Sequence, residues 1–436
     1  MLVDNKTIEF DPYEDILKPV TLPNMFSVEQ TFDTSHIENL AKAVRTEVLQ
    51  FPNISEICGK NVAVGIGSRG INNLQTIAQS LISVLKNLGA NVYIVPAMGS
   101  HGGAIAENQT EILHKLGITQ ATMGVPIISS METEIIGYTE DGIPVHMDIN
   151  ACQADYTVTI ARIKPHSSFR GQYESGMVKM CVIGLGKQHG ADFCHHRGMA
   201  NMGINLQKIG KVFVEKSNLL FSLGLIENSY DETCWLKAVP RKEILIMEPR
   251  LLEKAKSLLP KIPFCNLDLL VIDEFGKNIT GTGMDCNIIQ RFTSEHMIAK
   301  PFIKRLVVLD LTDESDGNAS GFGLADISTR RAFEKMSFTK TYPNLLTART
   351  VIGGRIPIIM DNDYDALRAG IKTAPDVDYS KLRIVRIKNT LNLYDMEISE
   401  ALYEEAKRNP LITIKSIKSF SWEFDENNNL IAGVST

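Results

Sequence analysis

The chain has 436 residues, which is too long for one ordinary hydrophobic core and predicts two domains. Its composition, with 44% apolar and 22% charged residues, is typical of a globular protein. The formal net charge of −6 and the absence of a basic run argue against a nucleic-acid-binding surface, while leaving room for a local cationic pocket.

The first residues contain no apolar segment typical of a secretion signal, and no window reaches the ~20 apolar residues that a membrane helix needs. The seven cysteines are scattered, odd in number and contain no CxxC pair, which is typical of free thiols in a reducing compartment. Together these features predict a cytoplasmic protein that has neither a membrane nor a nucleic acid as a partner.

The first 60 residues are predicted to be an irregular lead-in with one helix near 35–50. Apolar runs of strand length then alternate with amphipathic segments, a pattern that predicts a parallel sheet in an α/β domain. The predicted elements are strands at 61–67, 91–96, 155–161 and 219–225, helices near 73–88, 104–116, 199–215 and 240–262, and a more extended segment at 117–160.

Pro260 and Pro263 mark a plausible linker and therefore a boundary near residue 262. A second α/β series follows, with predicted strands at 267–273, 306–311 and 382–387, helices near 325–335, 341–350, 363–372 and 398–408, and a hairpin at 420–434. We therefore predict two α/β domains with mostly parallel sheets, 1–262 and 263–436.

Three loops that follow predicted strands carry unusual residues, and ligands of open α/β sheets bind at the carboxyl ends of strands. Arg69 offers a guanidinium that suits a carboxylate or phosphate, and His101 in a glycine-rich turn could exchange protons near neutral pH. Lys277 follows the strand that opens the second domain and could hold a substrate anion. For each residue the alternative is a solvated loop. The acidic loop 310–317 lacks the spacing of a calcium site, and we interpret it as a solvated strand end rather than a magnesium site.

Lys179 stands between Ser175-Gly176 and the apolar run 180–185. Partial burial at such a position would make the amine of Lys179 a nucleophile.

Four of the nine histidines fall within positions 166–196. No HExxH or CxxC pattern accompanies them, so a metal held by one of them would need an organic cofactor to supply its other donors. His189 and His196 are interpreted as surface or capping residues, whereas His166 and His195 are predicted to act in the site.

In this order these residues resemble the nickel-dependent lactate racemase family. The resemblance covers about residues 60–200 and depends on Arg69, His101, His166, the Ser-Gly-x-x-Lys motif of Ser175–Lys179, and His195. Beyond residue 260 it depends on architecture more than on motifs.

The resemblance implies a nickel-pincer nucleotide, pyridinium-3,5-bisthiocarboxylic acid mononucleotide, linked covalently to Lys179 in the motif with Ser175 and Gly176. The nickel would be held by two sulfurs and a ring carbon of this cofactor and by His195. The implied partners are proteins that synthesise the cofactor and a small 2-hydroxy acid as substrate.

The implied reaction is a racemisation or epimerisation in which the C2 hydride of the acid passes to the cofactor and returns to either face. His101 and His166 would act as general acid and base on opposite sides of the substrate. Arg69 and Lys277 would hold the substrate in an active-site cleft between the two domains, with the second domain closing to exclude water.

The sequence departs from the family pattern in three places. The interval between His166 and Lys179 is longer, no arginine follows His101 in its turn, and the Gln-x-x-Lys pair of the second domain has only Glu274-x-x-Lys277 as a counterpart. The identity of the acid is therefore open.

Two further assignments are left open by the sequence. Arg170 and Arg197 could serve a larger or doubly charged acid. Either His195 or His196 could meet the metal, with the 16-residue interval from Lys179 favouring His195.

Two other functions compete with this one. Lys179 could form a Schiff base in a cofactor-free aldolase or dehydratase, or the glycine-rich loops could serve a non-catalytic carrier of a nucleotide or metal. A nicotinamide dehydrogenase is disfavoured because no GxGxxG follows the first strand. The oligomeric state and the cofactor loading of the isolated protein are not predicted.

Overall fold

The computed structural model of the chain describes residues 13–68, 70–195, 198–294, 297, 303–347 and 351–434. These residues form two compact units. The central unit spans Asp33–Leu259, and the terminal unit combines the described residues up to Phe32 with those from Pro260 onward.

The strands of both units are numbered here in chain order. They are β1 Met25–Gln30, β2 Asn61–Ile66, β3 Asn91–Pro96, β4 Thr133–Tyr138, β5 Pro144–Asp148, β6 Tyr156–Arg162, β7 Leu219–Glu227, β8 Thr233–Pro240, β9 Leu267–Phe275, β10 Ile303–Leu311, β11 Ile327–Thr329, β12 Ile358–Met360, β13 Ile384–Asn389, β14 Asn392–Ser399 and β15 Ile412–Ile414.

The α-helices are numbered in the same way. They are α1 Glu14–Leu17, α2 Leu40–Leu49, α3 Leu74–Asn87, α4 Ala106–Lys115, α5 Gln120–Met123, α6 Ile149–Gln153, α7 Met177–Lys179, α8 Lys187–His195, α9 Met202–Lys216, α10 Ile244–Leu258, α11 Cys286–Ile289, α12 Arg330–Glu334, α13 Phe338–Thr347, α14 Asp363–Thr373 and α15 Tyr403–Arg408.

The central unit contains a five-stranded sheet in the order β3-β2-β6-β7-β8, in which only β8 runs antiparallel to its neighbour. Its strands are nearly continuous apolar runs because helices cover both faces of the sheet. The chain proceeds from β2 to β3 on one side and later to β6 on the other. The topological switch point, where such sheets bind ligands, therefore lies between β2 and β6.

Alternate residues of β2 point to the two faces of this sheet. Val62 and Val64 pack in the layer with α2 and α3, whereas Ala63 packs in the layer with α9 and α10. A side chain at Gly65 would lie 3.3 Å from Leu185 Cδ2, so the small residues on this second face let the segment after α7 approach the sheet closely.

The terminal unit contains an eight-stranded sheet in the order β12-β11-β10-β9-β13-β14-β1-β15. The strands from β12 to β13 are parallel, and β14, β1 and β15 continue the sheet in antiparallel pairing. The predicted fold class, two α/β units with mostly parallel sheets, is confirmed. None of the described helices combines the length and hydrophobicity needed to cross a membrane.

The division of the chain differs from the predicted ranges 1–262 and 263–436 at its beginning. β1 lies in the segment predicted to be an irregular lead-in, and it pairs with β14 and β15 of the terminal unit. The second half of the division is close to the prediction, because the terminal unit resumes at Pro260.

Several element predictions in the second half were incomplete. β11 precedes α12 where a single helix near 325–335 was predicted, and β14 occupies part of the helix predicted near 398–408. The predicted hairpin at 420–434 has only an isolated bridge between Phe424 and Leu430.

Candidate functional site

The carboxyl ends of β3, β2 and β6 lie side by side in the central sheet and carry the predicted acid–base residues. Ser68 follows β2, His101 follows β3, and His166 follows β6. Because neighbouring strands are separated by about 4.8 Å, the loops of His101 and His166 leave the sheet about 10 Å apart, on either side of β2. This spacing suits a small substrate placed over the switch point.

His101 lies in a tight turn, a 3₁₀ segment of His101–Ala104 that precedes α4. Gly102 and Gly103 both have φ of 68°, a left-handed conformation that glycine adopts without strain. The ring of His101 is exposed, and its Nδ1 contacts the hydroxyl of Ser68 at the end of β2. The two strand ends are thereby joined directly by side chains.

Two fully buried side chains lie beneath this turn. The amide of Gln109 donates to the carbonyl oxygens of Gly99 at 2.8 Å and His101 at 3.0 Å. The ammonium of Lys187 donates to the Gln109 amide oxygen at 3.2 Å and pairs with Asp148 at 3.0 Å. Burial, the larger effect, lowers the pKa of Lys187, against the opposing attraction of Asp148. The sequence assigned none of these three residues to the site.

The loop of His166 is organised by a buried carboxylate. Glu174 is fully buried and accepts from the backbone amide of His166 at 2.8 Å, while its other oxygen pairs with Lys256 at 3.1 Å. The ring of His166 packs on Phe169 at a centroid distance of 4.3 Å, and its Nδ1 accepts from the backbone amide of Ser168 at 3.0 Å. In a neutral ring with this contact, the proton is on Nε2.

The arginines proposed for substrate have different outcomes. Arg170 bonds to the His166 carbonyl oxygen at 2.5 Å and pairs with Glu174 at 3.3 Å, so its guanidinium supports the loop itself. Arg69, proposed to hold the substrate carboxylate, and Arg197 lie outside the described residues.

The Ser-Gly-x-x-Lys segment begins at Ser175, which pairs with the chain just after the end of β6. Lys164 and Ser175 form a two-way backbone bridge, with N···O distances of 2.9 and 3.2 Å, which closes the loop that holds His166. Lys179 follows on α7 and is half-buried. The motif predicted from sequence is therefore next to the His166 loop through backbone pairing.

A buried carboxyl group contacts the beginning of α7. Glu248 of α10 accepts from the amide of Val178 at 2.8 Å, and a side chain at Gly176 would lie 2.5 Å from its Oε1. Burial raises the pKa of Glu248 to about 7, although the backbone amides of Met177 and Val178 act in the opposite direction. A side chain at Gly176 would therefore displace the carboxyl group of Glu248.

A π-helical segment, Met180–Leu185, continues α7 and reaches the other two loops. The amide of Gly99 donates to the carbonyl oxygen of Gly184 at 3.2 Å, and a side chain at Gly67 would lie 2.8 Å from Met180 Cε. Both strand-end loops thus rest on the segment that follows Lys179. π-Helical turns are frequent at functional sites.

His195 is half-buried at the end of α8, and His196 lies outside the described residues. Burial raises the pKa of the neighbouring Cys194 to about 12, while the Lys179 ammonium acts to lower it. Lys179 is therefore within electrostatic reach of the end of the helix that carries His195. Among the described residues, no group of three or more His, Cys, Asp or Glu side chains is arranged to hold a metal ion.

His189 is exposed on α8, as predicted, and its ring stacks on that of His146 at 5.0 Å. Burial lowers the pKa of His146, and the neighbouring His189 lowers it further by a smaller effect.

Lys277 lies in the terminal unit, in the loop after β9. Its ammonium donates to the Gly281 carbonyl oxygen at 2.6 Å, and its backbone amide donates to Ser315 Oγ at 2.7 Å. Thr312 at the end of β10 bonds to Asn278 at 2.7 Å, so this loop is held by hydroxyl groups of the next strand. The role predicted for Lys277 toward a substrate stays a prediction.

No protein-family model matches the chain, and no curated protein matches it. One similar solved structure is the lactate racemase apoprotein from Thermoanaerobacterium thermosaccharolyticum. It is 14% identical in sequence and covers 81% of this chain and 93% of its own, with a TM-score of 0.45. The side chains of the central unit, rather than this likeness, bear on its chemistry.

Proposed function

We propose that this protein is a racemase or epimerase of a 2-hydroxy acid that uses a nickel-pincer nucleotide attached to Lys179. The observation that carries the proposal is the grouping at one sheet edge: the Ser68–His101 pair, the His166 loop and the segment of Lys179 converge on the ends of β3, β2 and β6. Switch points of this kind are where open α/β sheets bind ligands.

The residues present fit such a cofactor. Lys179 supplies a half-buried amine within electrostatic reach of Cys194, and His195, the next residue on α8, supplies a single imidazole. A metal held by the single imidazole of His195 would take its remaining donors from such a cofactor. When bound, the pincer nucleotide supplies these donors and an electrophilic carbon for the C2 hydrogen of the substrate.

The protein itself moves the hydroxyl proton. In the proposed reaction, His101 removes the proton from the substrate hydroxyl for one enantiomer and His166 removes it for the other, and each returns it in the reverse direction. Loss of C2–H as hydride avoids a dianion beside the carboxylate. Two acid–base groups are needed because hydride can return to either face of the planar keto-acid.

Substrate binding in this proposal draws on cationic side chains. Arg69 holds the carboxylate of the acid, and Lys277 is the expected second cationic contact. Proteins that synthesise the nickel cofactor are the expected partners.

The test is intact mass spectrometry of protein purified from its native host, with nickel analysis and a polarimetric assay on a panel of 2-hydroxy acids. We expect a mass increment on Lys179, about one nickel per chain, and interconversion of enantiomers that is lost in Lys179→Arg. An unmodified Lys179 in protein that racemises an acid would refute the proposal.

Trapping with borohydride separates this proposal from a Schiff-base lyase. A lyase predicts that a keto substrate and borohydride together add mass to an initially unmodified Lys179. The racemase predicts an increment before any substrate is added.

A further inference from the structure

Lys187 is a fully buried charged side chain of the site region, and the proposed reaction does not use it. Its exposed fraction is 0%, and that of its partner Asp148 is also 0%. Burying an ion pair costs desolvation that is recovered only when the geometry and additional hydrogen bonds are good. A lysine at such a position therefore needs a structural reason.

The backbone of Lys187 is also unusual. Its φ of 53° lies in the left-handed region, which side chains other than glycine, asparagine and aspartate rarely adopt. The position joins the π-helical segment that ends at Leu185 to the first turn of α8. A lysine here adopts a conformation that glycine would adopt more easily, and its buried side-chain contacts offset this cost.

Two of the contacts of Lys187 lead to the strand and turn that present His101. Its ammonium donates to the carbonyl oxygen of Pro96, the last residue of β3, and to the Gln109 amide oxygen at 3.2 Å. Gln109 is oriented by this bond so that its NH₂ group faces the carbonyl oxygens of Gly99 and His101. Asp148 completes the chain of contacts and also caps α6 through the amides of residues 150 and 151.

We propose that Lys187 is a positioning residue that, through Gln109, fixes the turn of His101 against the helix that ends at His195. The buried pair of Lys187 and Asp148 would then fix the position of the His101 imidazole relative to His195, the predicted metal ligand. The catalytic part of this inference rests on the proposed function, whereas the positioning of the turn does not. Small displacements matter because a misplacement of about 1 Å costs about 100-fold in rate.

The test is hydrogen–deuterium exchange of residues 97–109 in protein without cofactor. Gln109→Leu removes the two bonds to the turn and leaves the pair of Lys187 and Asp148 intact. We expect exchange of the amides of Gly99 and His101 to become at least about tenfold faster, because their bonds to neighbouring carbonyl groups open more often.

Asn218→Leu is the matched control. The side-chain amide of Asn218 also donates to two carbonyl oxygens, those of Ala151 at 2.8 Å and Ala154 at 2.7 Å. Asn218 lies at the amino end of β7, whereas the His101 turn lies at the carboxyl ends of the strands. Asn218→Leu should leave exchange at residues 97–109 at the wild-type rate. Equal acceleration by Gln109→Leu and Asn218→Leu would overturn the inference, because the effect would then be general loosening.

The double variant Lys187→Met with Asp148→Asn removes the charge pair without leaving either charge alone, and asparagine preserves the cap of α6. It should accelerate exchange of the turn as Gln109→Leu does. Wild-type exchange in this variant would overturn the role of Lys187. If the double variant does not fold, Gln109→Glu is the alternative test. Glutamate keeps a partner for Lys187 but turns an oxygen toward the carbonyl groups of Gly99 and His101. Unchanged exchange of the turn in Gln109→Glu would also overturn the positioning role of Lys187 through residue 109.

Activity gives a second readout. In cofactor-loaded Gln109→Leu, kcat should fall about tenfold or more, while KM and the mass increment on Lys179 stay as in the wild type. Undiminished kcat with a loosened turn would overturn the catalytic part alone. A wild-type protein with no adduct and no racemisation would instead remove the proposed function, while the exchange result would still stand.

Discussion

The turn of His101 and the loop of His166 present the same side chain in two different ways. His101 is exposed, and its Nδ1 meets the hydroxyl of Ser68, a group that can donate or accept a hydrogen bond. His166 is half-buried on Phe169, and its Nδ1 meets a backbone amide, which can only donate. The Nδ1 atom of His101 can therefore either donate or accept in its contact, whereas the Nδ1 atom of His166 accepts in its own.

The supports beneath the two imidazoles also differ. The His101 turn rests on a buried cation, Lys187, and the His166 side rests on buried carboxyl groups, Glu174 and Glu248. Desolvation disfavours the charged form in both cases, lowering the pKa of Lys187 and raising that of Glu248. In the proposed reaction, Nδ1 of His166 can accept the substrate proton only after its contact with the Ser168 amide has broken.

The largest expected effect comes from removing each imidazole. In the cofactor-loaded enzyme, His101→Ala and His166→Ala should each lose about 10²- to 10⁴-fold in kcat/KM, the range for general acid–base catalysis. Added imidazole should restore part of the activity of His101→Ala, because the lost ring is exposed to solvent. It should restore little in His166→Ala, where the ring packs on Phe169. Steady-state racemisation with and without imidazole is the measurement.

Wild-type enzyme in the same imidazole concentrations is the control for inhibition at the metal. Equal rescue of both alanine variants would contradict the distinction between an exposed and a packed ring. Retention of full activity by either variant would remove that histidine from the proposed chemistry.

A change in stability with pH is the next largest effect and concerns the carboxyl side. The pKa of Glu248 is about 7 in the folded protein and 4.5 for the ordinary group, so between these values the folded state retains a proton that the unfolded state has lost. Glu248 therefore makes the free energy of unfolding fall as pH rises from 4.5 to 7, by on the order of 3 kcal/mol in total.

The measurement is urea unfolding at several pH values, comparing the wild type with Glu248→Gln. The amide stays neutral and still offers an oxygen to Val178, so this variant should be less sensitive to pH over the same interval. Identical pH dependence of the two proteins would show that the carboxyl is not desolvated as described.

A smaller effect is expected from Glu174, which holds the His166 loop together. Glu174→Ala leaves the amide of His166 and the charge of Lys256 without their buried acceptor. We expect the free energy of unfolding to fall by about 2 kcal/mol, the scale of hydrogen bonds to a charged group. Glu253→Ala is the control, because Glu253 also pairs with Lys256 but is 72% exposed and should contribute less than about 1 kcal/mol.

The sequence predicted the parts of the site that follow from local rules. β2 and β3 are buried apolar runs, and the strand-end rule then pointed to His101 and His166. Lys187 and Glu248 were not predicted because their roles depend on partners 91 and 70 residues away along the chain, Pro96 and Val178 respectively. A lysine directly after a long apolar run was the one available signal for Lys187.

The same reasoning explains the fold elements that were not predicted. β1 has the sequence MFSVEQ inside a proline-containing segment, and it is stabilised by pairing with β14 and β15, more than 300 residues away. β11 and β12 have three residues each, too short to show any periodicity. Local patterns identify strands in the middle of the sheet, whereas edge and terminal strands depend on distant partners.

The smallest expected effect separates a side-chain contact from a backbone contact. Ser68→Ala removes the hydroxyl group that contacts His101. It should reduce kcat by about tenfold, which corresponds to the free energy of about one hydrogen bond. The free energy of unfolding should change by less than about 0.5 kcal/mol. Ser168→Ala is the matched control, because it keeps the backbone amide that meets His166 and should leave kcat unchanged. If Ser168→Ala lost as much activity as Ser68→Ala, the two imidazoles would not be oriented by different kinds of donor, and their inequivalence would have to arise from burial alone.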